Sequence, residues 1–394
     1  MAASPVRRSG RLPWDEPVNC LTRARQERAA LGLPTIDLTE SNPTRVGIPY
    51  PEEELREILG RAAGPLYEPH PLGLPAAREA LAAALSTPGD PVSPDDLVLT
   101  ASTSESYSWL FKIFGSIGDI GDDVLTTAPS YPLLDSLAAL EGLGLSYVHL
   151  SPGRGFALET EKVELALTPL TCLLALVHPG NPTGAFLSPA EQEAMAGLCA
   201  SRGLPLVSDE VFADYPLGET CFRPTAGLAG DALAFSLGGL SKSAGLPSWK
   251  LGWIRVGGPA GERRRALDAL ELVADSYLSV ATPVQRALPE ILELAPRIRS
   301  AILGRLRTNL AALRGLLDGS GVELLEPRGG WSAVLRVCDP RPDEELALAA
   351  LDAGVLVHPG YFFDFATDDF LVLSLLPGPD RFADGVTRLL GTLR

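Results

Sequence analysis

Seven short apolar runs between residues 96 and 257 constrain this chain more than any other feature: DLVLT, DDVLTTAPS, LSYVHL, TCLLALVHP, LPLVSDE, ALAFSLG and LGWIRVG. Each is too short for a helix and too uniformly apolar for a strand with one wet face, so each reads as a strand buried on both sides. Amphipathic stretches separate several of them. SPAEQEAMAGLCASR, for example, opens on the Ser-Pro signal of a helix start. Strands alternating with helices predict an α/β domain built on a mostly parallel sheet. Such sheets carry their active sites at the carboxyl ends of the strands.

The flanking segments differ. Residues 1–50 end in ESNPTRVGIPYP and read as an extended N-terminal arm with little regular structure. PEEELREILGRAA and LPAAREALAAAL read as helices, the first with proline and acids in its opening turn. Residues 260–318 carry long Leu/Ala/Arg helical periodicity. VELLEPRGGWSAVLRV, LALAALDAGVLVHPG and FLVLSLLP then mix strands and a helix into a smaller α+β unit. The expected division is an arm at 1–50 that joins the small domain, a large domain at 51–285 and a small C-terminal domain at 286–394.

Composition narrows the partners. With 46% hydrophobic residues over 394 positions the chain can bury a large core. A formal charge of −16 argues against nucleic acid and anionic membrane, both of which need a basic face. No apolar run is long enough to span a bilayer. The N-terminal arginines are not followed by the apolar stretch of a secretory signal. Five scattered cysteines without a CxxC pair predict buried thiols in a reducing compartment, and the four histidines lack metal-site spacing. The expectation is a cytoplasmic protein that meets small molecules and holds no metal.

The strand ends carry chemistry. Ala101-Ser102-Thr103-Ser104 follows LVLT, Tyr131 follows TTAPS, Gly180-Asn181-Pro182-Thr183-Gly184 follows ALVHP, Asp209-Glu210 follows LPLVS, and Lys242 follows ALAFSLGGLS. In a parallel sheet all five lie on one edge. A helix N-terminus with hydroxyls holds a phosphate dianion. A carboxylate keeps a pyridine nitrogen protonated, a lysine amine forms a Schiff base, and an aromatic ring stacks on a planar cofactor. Of 33 basic residues only four are lysines, and two of those, Lys242 and Lys250, sit together in SLGGLSKSAGLPSWKLGW.

Taken together, TASTSESY, PSYP, NPTG, SDEVF, GGLSK and WKLGW resemble, in order and spacing, the motifs of class I/II aminotransferases, the fold-type I pyridoxal-phosphate enzymes. The resemblance runs from about residue 65 to 375. It implies pyridoxal 5'-phosphate as cofactor, an amino donor and a 2-oxo acid acceptor as substrates, and a homodimer with shared active sites. It also implies roles: Lys242 carries the Schiff base and moves the proton, Asp209 pairs with the pyridine nitrogen, and Asn181 donates to the ring's phenolic oxygen. Tyr131 stacks on or flanks the ring. Ser102 and Thr103 hold the phosphate, with Ser241 assisting and Lys250 in place of the family's usual arginine. Tyr67 resembles the tyrosine that reaches the neighbouring subunit's phosphate.

Three positions depart from the family pattern. Phe212 stands where a tyrosine usually donates to the phenolic oxygen. Lys250 offers a point charge in place of a bidentate fork. Val372 stands where an arginine usually clamps the substrate carboxylate. Arg45, in SNPTRVGIP, is the expected replacement, unless the substrate has no carboxylate at that position. The expected activity is amino-group transfer. A lyase running β-elimination or decarboxylation on the same fold, or a degenerate cofactor-binding protein, is the alternative.

Overall fold

The computed structural model describes residues 9–12, 17–116, 121–219 and 222–393. Its centre is a seven-stranded sheet. In spatial order the strands are Leu97–Thr100, Gly252–Gly257, Ala234–Gly239, Leu206–Asp209, Thr171–Val177, Asp123–Ala128 and Gly144–His149. All seven predicted strands are present. Six run in one direction, and Gly252–Gly257 is antiparallel to both of its neighbours. That exception places its first residues beside the last residues of the others, with Gly252 opposite both Thr100 and Gly239.

Alternation along the strands divides the core. Val98, Leu173, Ala175, Val207, Phe235 and Ile254 pack on one face with helices Thr103–Phe114, Leu133–Glu141 and Ala260–Tyr277. Leu125, Leu174, Leu176, Leu206 and Ala234 pack on the other face with helix Pro189–Arg202. Burial on both faces is why six of these runs showed no polar period; Gly144–His149, at the sheet edge, departs from that expectation, with Val148 its one buried residue. Ser188 and Glu191 close a reciprocal capping box at the start of Pro189–Arg202, as the Ser-Pro signal predicts.

A 36-residue helix, Thr282–Leu317, links the two parts of the molecule; the boundary expected at residue 285 lies inside it. Beyond it, a four-stranded antiparallel sheet runs in the order His358–Pro359, Phe370–Ser374, Ser332–Val337, Val322–Leu325.

The arm contains more regular structure than its composition predicts. Cys20–Ala30 is a helix, capped by Asn19, whose side chain accepts from the Thr22 N–H. Leu21 is its one buried residue, so this polar helix has no apolar stripe to read in the sequence. Ile36–Asp37 then pairs in parallel with Val355–Leu356, and Ser374 Oγ donates to the Glu40 carbonyl at 2.7 Å. The arm is thereby stitched to the small sheet and crosses the carboxyl edge of the large one.

The thiols only partly follow expectation. Cys172 and Cys199 are buried, Cys20 is intermediate and Cys338 is exposed, because Cys338 lies just past a strand end. Cys221 lies outside the described residues. No described helix is long and apolar enough to cross a membrane, and the described residues contain no cluster of metal-ligating side chains.

Candidate active site

A cavity opens at the carboxyl edge of the large sheet, where the small sheet and the arm close over it. Thr103, Tyr131, Asn181, Asp209 and Lys242 all line it, as do Phe212 and Val372. The five strand-end residues singled out above therefore share one site, because their strands all run the same way.

Asp209 ends its strand and faces the cavity, with one carboxylate oxygen accepting the Val211 N–H at 3.1 Å. Burial pushes its pKa up to about 6, against the Val211 bond, Tyr107 and the Lys242 charge, which lower it. Its neighbour Glu210 accepts from the Thr225 N–H and Ser236 Oγ at 2.7 and 2.8 Å. Of the adjacent carboxylates, one thus faces the cavity and the other holds the loop at residue 225.

Lys242 sits in the short helical turn Leu240–Ser243 that follows strand Ala234–Gly239. Burial lowers its pKa to about 8, with the Asp209 charge opposing the shift. Its amine lies 4.6 Å from the Trp331 ring centre and 5.4 Å from that of Phe212. The two rings meet edge to face at 5.4 Å. The amine thus emerges between aromatic walls.

Thr103 is the first residue of helix Thr103–Phe114, whose opening N–H groups have no partner within the helix. Ser102 is its cap and accepts the Glu105 N–H at 3.2 Å. Asn181 sits in a turn closed by the Gly184 N–H on the Gly180 carbonyl. At Gly184 the left-handed φ of 65° and the Gly329 carbonyl, 2.4 Å from where a Cβ would stand, both require glycine. Tyr131 is half exposed at the cavity wall.

The remaining expected residues lie outside this lining. Ser241 is half-buried beside Lys242. Lys250 is exposed, in a left-handed conformation with φ 48°, just before the antiparallel strand. Tyr67 is exposed, against a separate small cavity with His70, Trp109 and Leu278. Arg45 is exposed and pairs with Glu40 at 3.6 Å.

Several lining residues gave no sequence signal. Thr39 and Ser41 come from the arm, Trp331, Ser332, His358 and Phe363 from the small domain, and Tyr107 from within TASTSESY. Val372 belongs to an apolar cluster with Phe156, Val334, Phe363, Phe365 and Phe370. The wall where the family usually carries a guanidinium is hydrocarbon around Val372, as the sequence indicates.

The comparisons with known proteins agree with this geometry. A model of the family "Aminotransferase class I and II" matches residues 53–380. The chain belongs to the class I and II aminotransferase family. It is 27% identical over 370 residues to the alanine aminotransferase of Mycobacterium tuberculosis, covering 91% of this chain and 86% of that one. It is 31% identical over 228 residues to nicotianamine aminotransferase A of Hordeum vulgare, covering 56% of this chain and 48% of that protein; the match thus spans about half of that relative's length. Among solved structures, the alanine aminotransferase of Pyrococcus furiosus superposes with a TM-score of 0.88 at 23% identity, covering 98% of this chain and 99% of that one. An aspartate aminotransferase from Thermus thermophilus superposes with a TM-score of 0.86 at 24% identity, over 99% of this chain and all of that one. At these identities the superpositions establish the fold.

The family's cofactor is pyridoxal 5'-phosphate, and the site fits it. An amine of lowered pKa, a buried carboxylate, a helix N-terminus and a flanking tyrosine share one cavity. The buried Tyr107 hydroxyl and Trp331 Nε1, both in residues of that lining, have no hydrogen-bond partner within the protein.

Proposed function

We propose that this protein is a pyridoxal-phosphate-dependent aminotransferase that moves an amino group between an uncharged, apolar amino acid and a 2-oxo acid. The observation that carries the substrate class is the cavity wall. Among its described lining residues the basic groups are Lys242 and His358. Burial lowers the His358 pKa, which keeps the imidazole neutral. Leu133, Leu134, Phe363, Val372 and Trp331 give that lining its apolar wall. A second carboxylate placed there would lose its hydration without gaining a partner.

The bound cofactor supplies an electron sink that labilises the substrate's α-proton. Lys242, in its uncharged form, is the nucleophile that attaches the cofactor and then the base that moves that proton. Its pKa near 8 leaves a substantial uncharged fraction at neutral to mildly alkaline pH. Asp209 would keep the ring nitrogen protonated, and Asn181 would donate to the ring's phenolic oxygen, without a second hydroxyl at Phe212. Thr103 and Ser102 would hold the phosphate at the helix N-terminus, with Ser241 and Lys250 as further donors to it. Tyr131 flanks the ring. Hydroxyls of Thr39, Ser41 and Ser332 are the polar groups available to a substrate carboxylate, with Arg45 turned toward Glu40.

The exposed apolar side chains Leu66, Tyr67, Leu272, Tyr277 and Leu278 support a homodimer with Tyr67 reaching the partner's site. Light scattering of the purified protein tests this assembly. A cytoplasmic location accords with the acidic composition and with the free thiols of Cys20, Cys172, Cys199 and Cys338.

The decisive experiment is borohydride reduction of the cofactor-loaded protein followed by peptide mass analysis, together with keto-product assays over a donor panel. Label on Lys242 and product from apolar donors in preference to dicarboxylic ones is the expected result. Label elsewhere, or a preference for acidic donors, overturns the reading. Pyruvate or ammonia release without an acceptor would favour the lyase.

A further inference from the structure

Tyr107 is buried, at 2% exposure, yet its hydroxyl has no hydrogen-bond partner. A buried polar group left unpaired is costly and calls for a reason. Packing does not provide one. The ring lies 5.7 Å from Phe111 within an apolar cluster, a place phenylalanine would fill equally well.

The reason lies in what the side chain faces. Tyr107 is four residues after Thr103 on helix Thr103–Phe114, so the two share a helix face, and both line the cavity with Asp209. One Asp209 oxygen is fixed by the Val211 N–H, which leaves acceptor capacity on the carboxylate. The carboxylate and the phenol also act on each other. Burial and then the Asp209 charge push the Tyr107 pKa well up, while Tyr107 lowers that of Asp209. Tyr107 and Lys242 are the side chains that act on the Asp209 charge, and Tyr131 and His358 are the other titratable groups lining the cavity.

We infer that Tyr107 is a positioning residue, whose hydroxyl donates to the Asp209 carboxylate when a pyridine nitrogen engages that carboxylate from the cavity. The inference rests on the cofactor reading above. Hydrogen bonds of this kind stand open without ligand and tighten in the loaded site. The donated bond keeps Asp209 ionised against the burial that opposes its charge, and ionised Asp209 keeps the ring nitrogen protonated. One helix then sets both ends of the cofactor, its phosphate through Thr103 and its nitrogen through Tyr107 and Asp209.

The test is Tyr107→Phe, which keeps the packing and removes the donor. The affinity of the apoprotein for pyridoxal phosphate is measured by tryptophan fluorescence across pH 6 to 9, in wild-type and Asp209→Asn backgrounds. Losing the donor moves Asp209 protonation to higher pH. The variant is therefore expected to bind about tenfold more weakly, the size of one hydrogen bond to a charged group, with the loss growing toward pH 6. In the Asp209→Asn background the same change is expected to have little further effect. Equal affinity and pH profile in Tyr107→Phe and wild type, or the same loss in the Asp209→Asn background, would overturn the inference. A wild-type protein that binds the cofactor with no dependence on Lys242 would instead defeat the functional reading itself, so the two failures are distinguishable.

Discussion

The hydroxyl of Tyr215 donates to the backbone carbonyl of Lys242 at 2.6 Å, and the Tyr215 ring packs edge to face on Trp331 at 5.1 Å. Tyr215 is fully buried. It anchors the turn that presents the amine, and the same ring supports one of the aromatic walls beside that amine. Tyr215→Phe should keep the ring packing and remove one of the donors to this carbonyl, which also accepts the Gly245 N–H at 3.0 Å, at a cost of about 0.5–1.5 kcal/mol. Urea unfolding measures the loss. Cofactor capture by Lys242 should slow in parallel, and a variant with wild-type stability and capture would show that the hydrogen bond does not anchor the turn.

Lys242 has a definite pH signature. Its pKa in the folded protein, about 8, lies below the ordinary lysine value of 10.5 because of burial. The reactive form is the neutral amine, so the rate at which apoprotein attaches pyridoxal phosphate should rise as pH increases through about 8, then level off. Linkage gives the matching stability trend. The folded state disfavours the charged amine, so this group weakens folding at every pH below about 8, and the penalty fades as pH rises from there toward 10.5. Stopped-flow capture from pH 6.5 to 10 checks the first statement. A Lys242→Met apoprotein, free of the penalty, should be more stable than wild type at neutral pH.

Arg45 is paired with Glu40 and exposed, outside the cavity lining. Arg45→Ala should leave KM for an apolar amino-acid donor within about twofold of wild type, since Arg45 is turned to Glu40 and does not line the cavity, and loss of such an exposed pair costs little stability. A tenfold rise in KM at unchanged kcat would instead make Arg45 the carboxylate partner.

Val372 offers a gain-of-function test. Val372→Arg introduces a guanidinium into an apolar cluster that holds four phenylalanines. With hydrocarbon packed around it, the new charge should destabilise the apoprotein by several kcal/mol. A dicarboxylic ligand should restore part of that stability by pairing with it, which thermal melts with and without the ligand would read.

Arg255 and Asp90 form a paired fork, with one N–O separation of 2.6 Å and Arg255 only 7% exposed. Asp90→Ala strands a buried cation, so a loss of about 3–5 kcal/mol is expected. Far-UV circular dichroism in urea measures it. Asp90 sits in the turn between helix Pro75–Leu85 and strand Leu97–Thr100, remote from the cavity, so kcat should be unchanged in whatever fraction remains folded.

By itself, the sequence determined the large domain. Strand number and the residues at strand ends are local consequences of apolar period and chain order, and Lys242, Asp209, Asn181, Thr103 and Tyr131 meet because parallel strands put their carboxyl ends on one edge. The antiparallel turn of Gly252–Gly257 was not legible, since a buried strand shows the same apolar run in either direction. Only tertiary structure decided what closes the cavity. Thr39 and Ser41 reach it through the pairing of Ile36–Asp37 with Val355–Leu356, and Trp331 and His358 through the docking of the small sheet. Those contacts join residues far apart in the chain, such as Ile36 with Val355 and Phe212 with Trp331, and no periodicity within a short window encodes them. The role of Tyr107 was hidden for a related reason. Within its helix it reads as one more core residue, and only the fold brings it into the same cavity as Asp209.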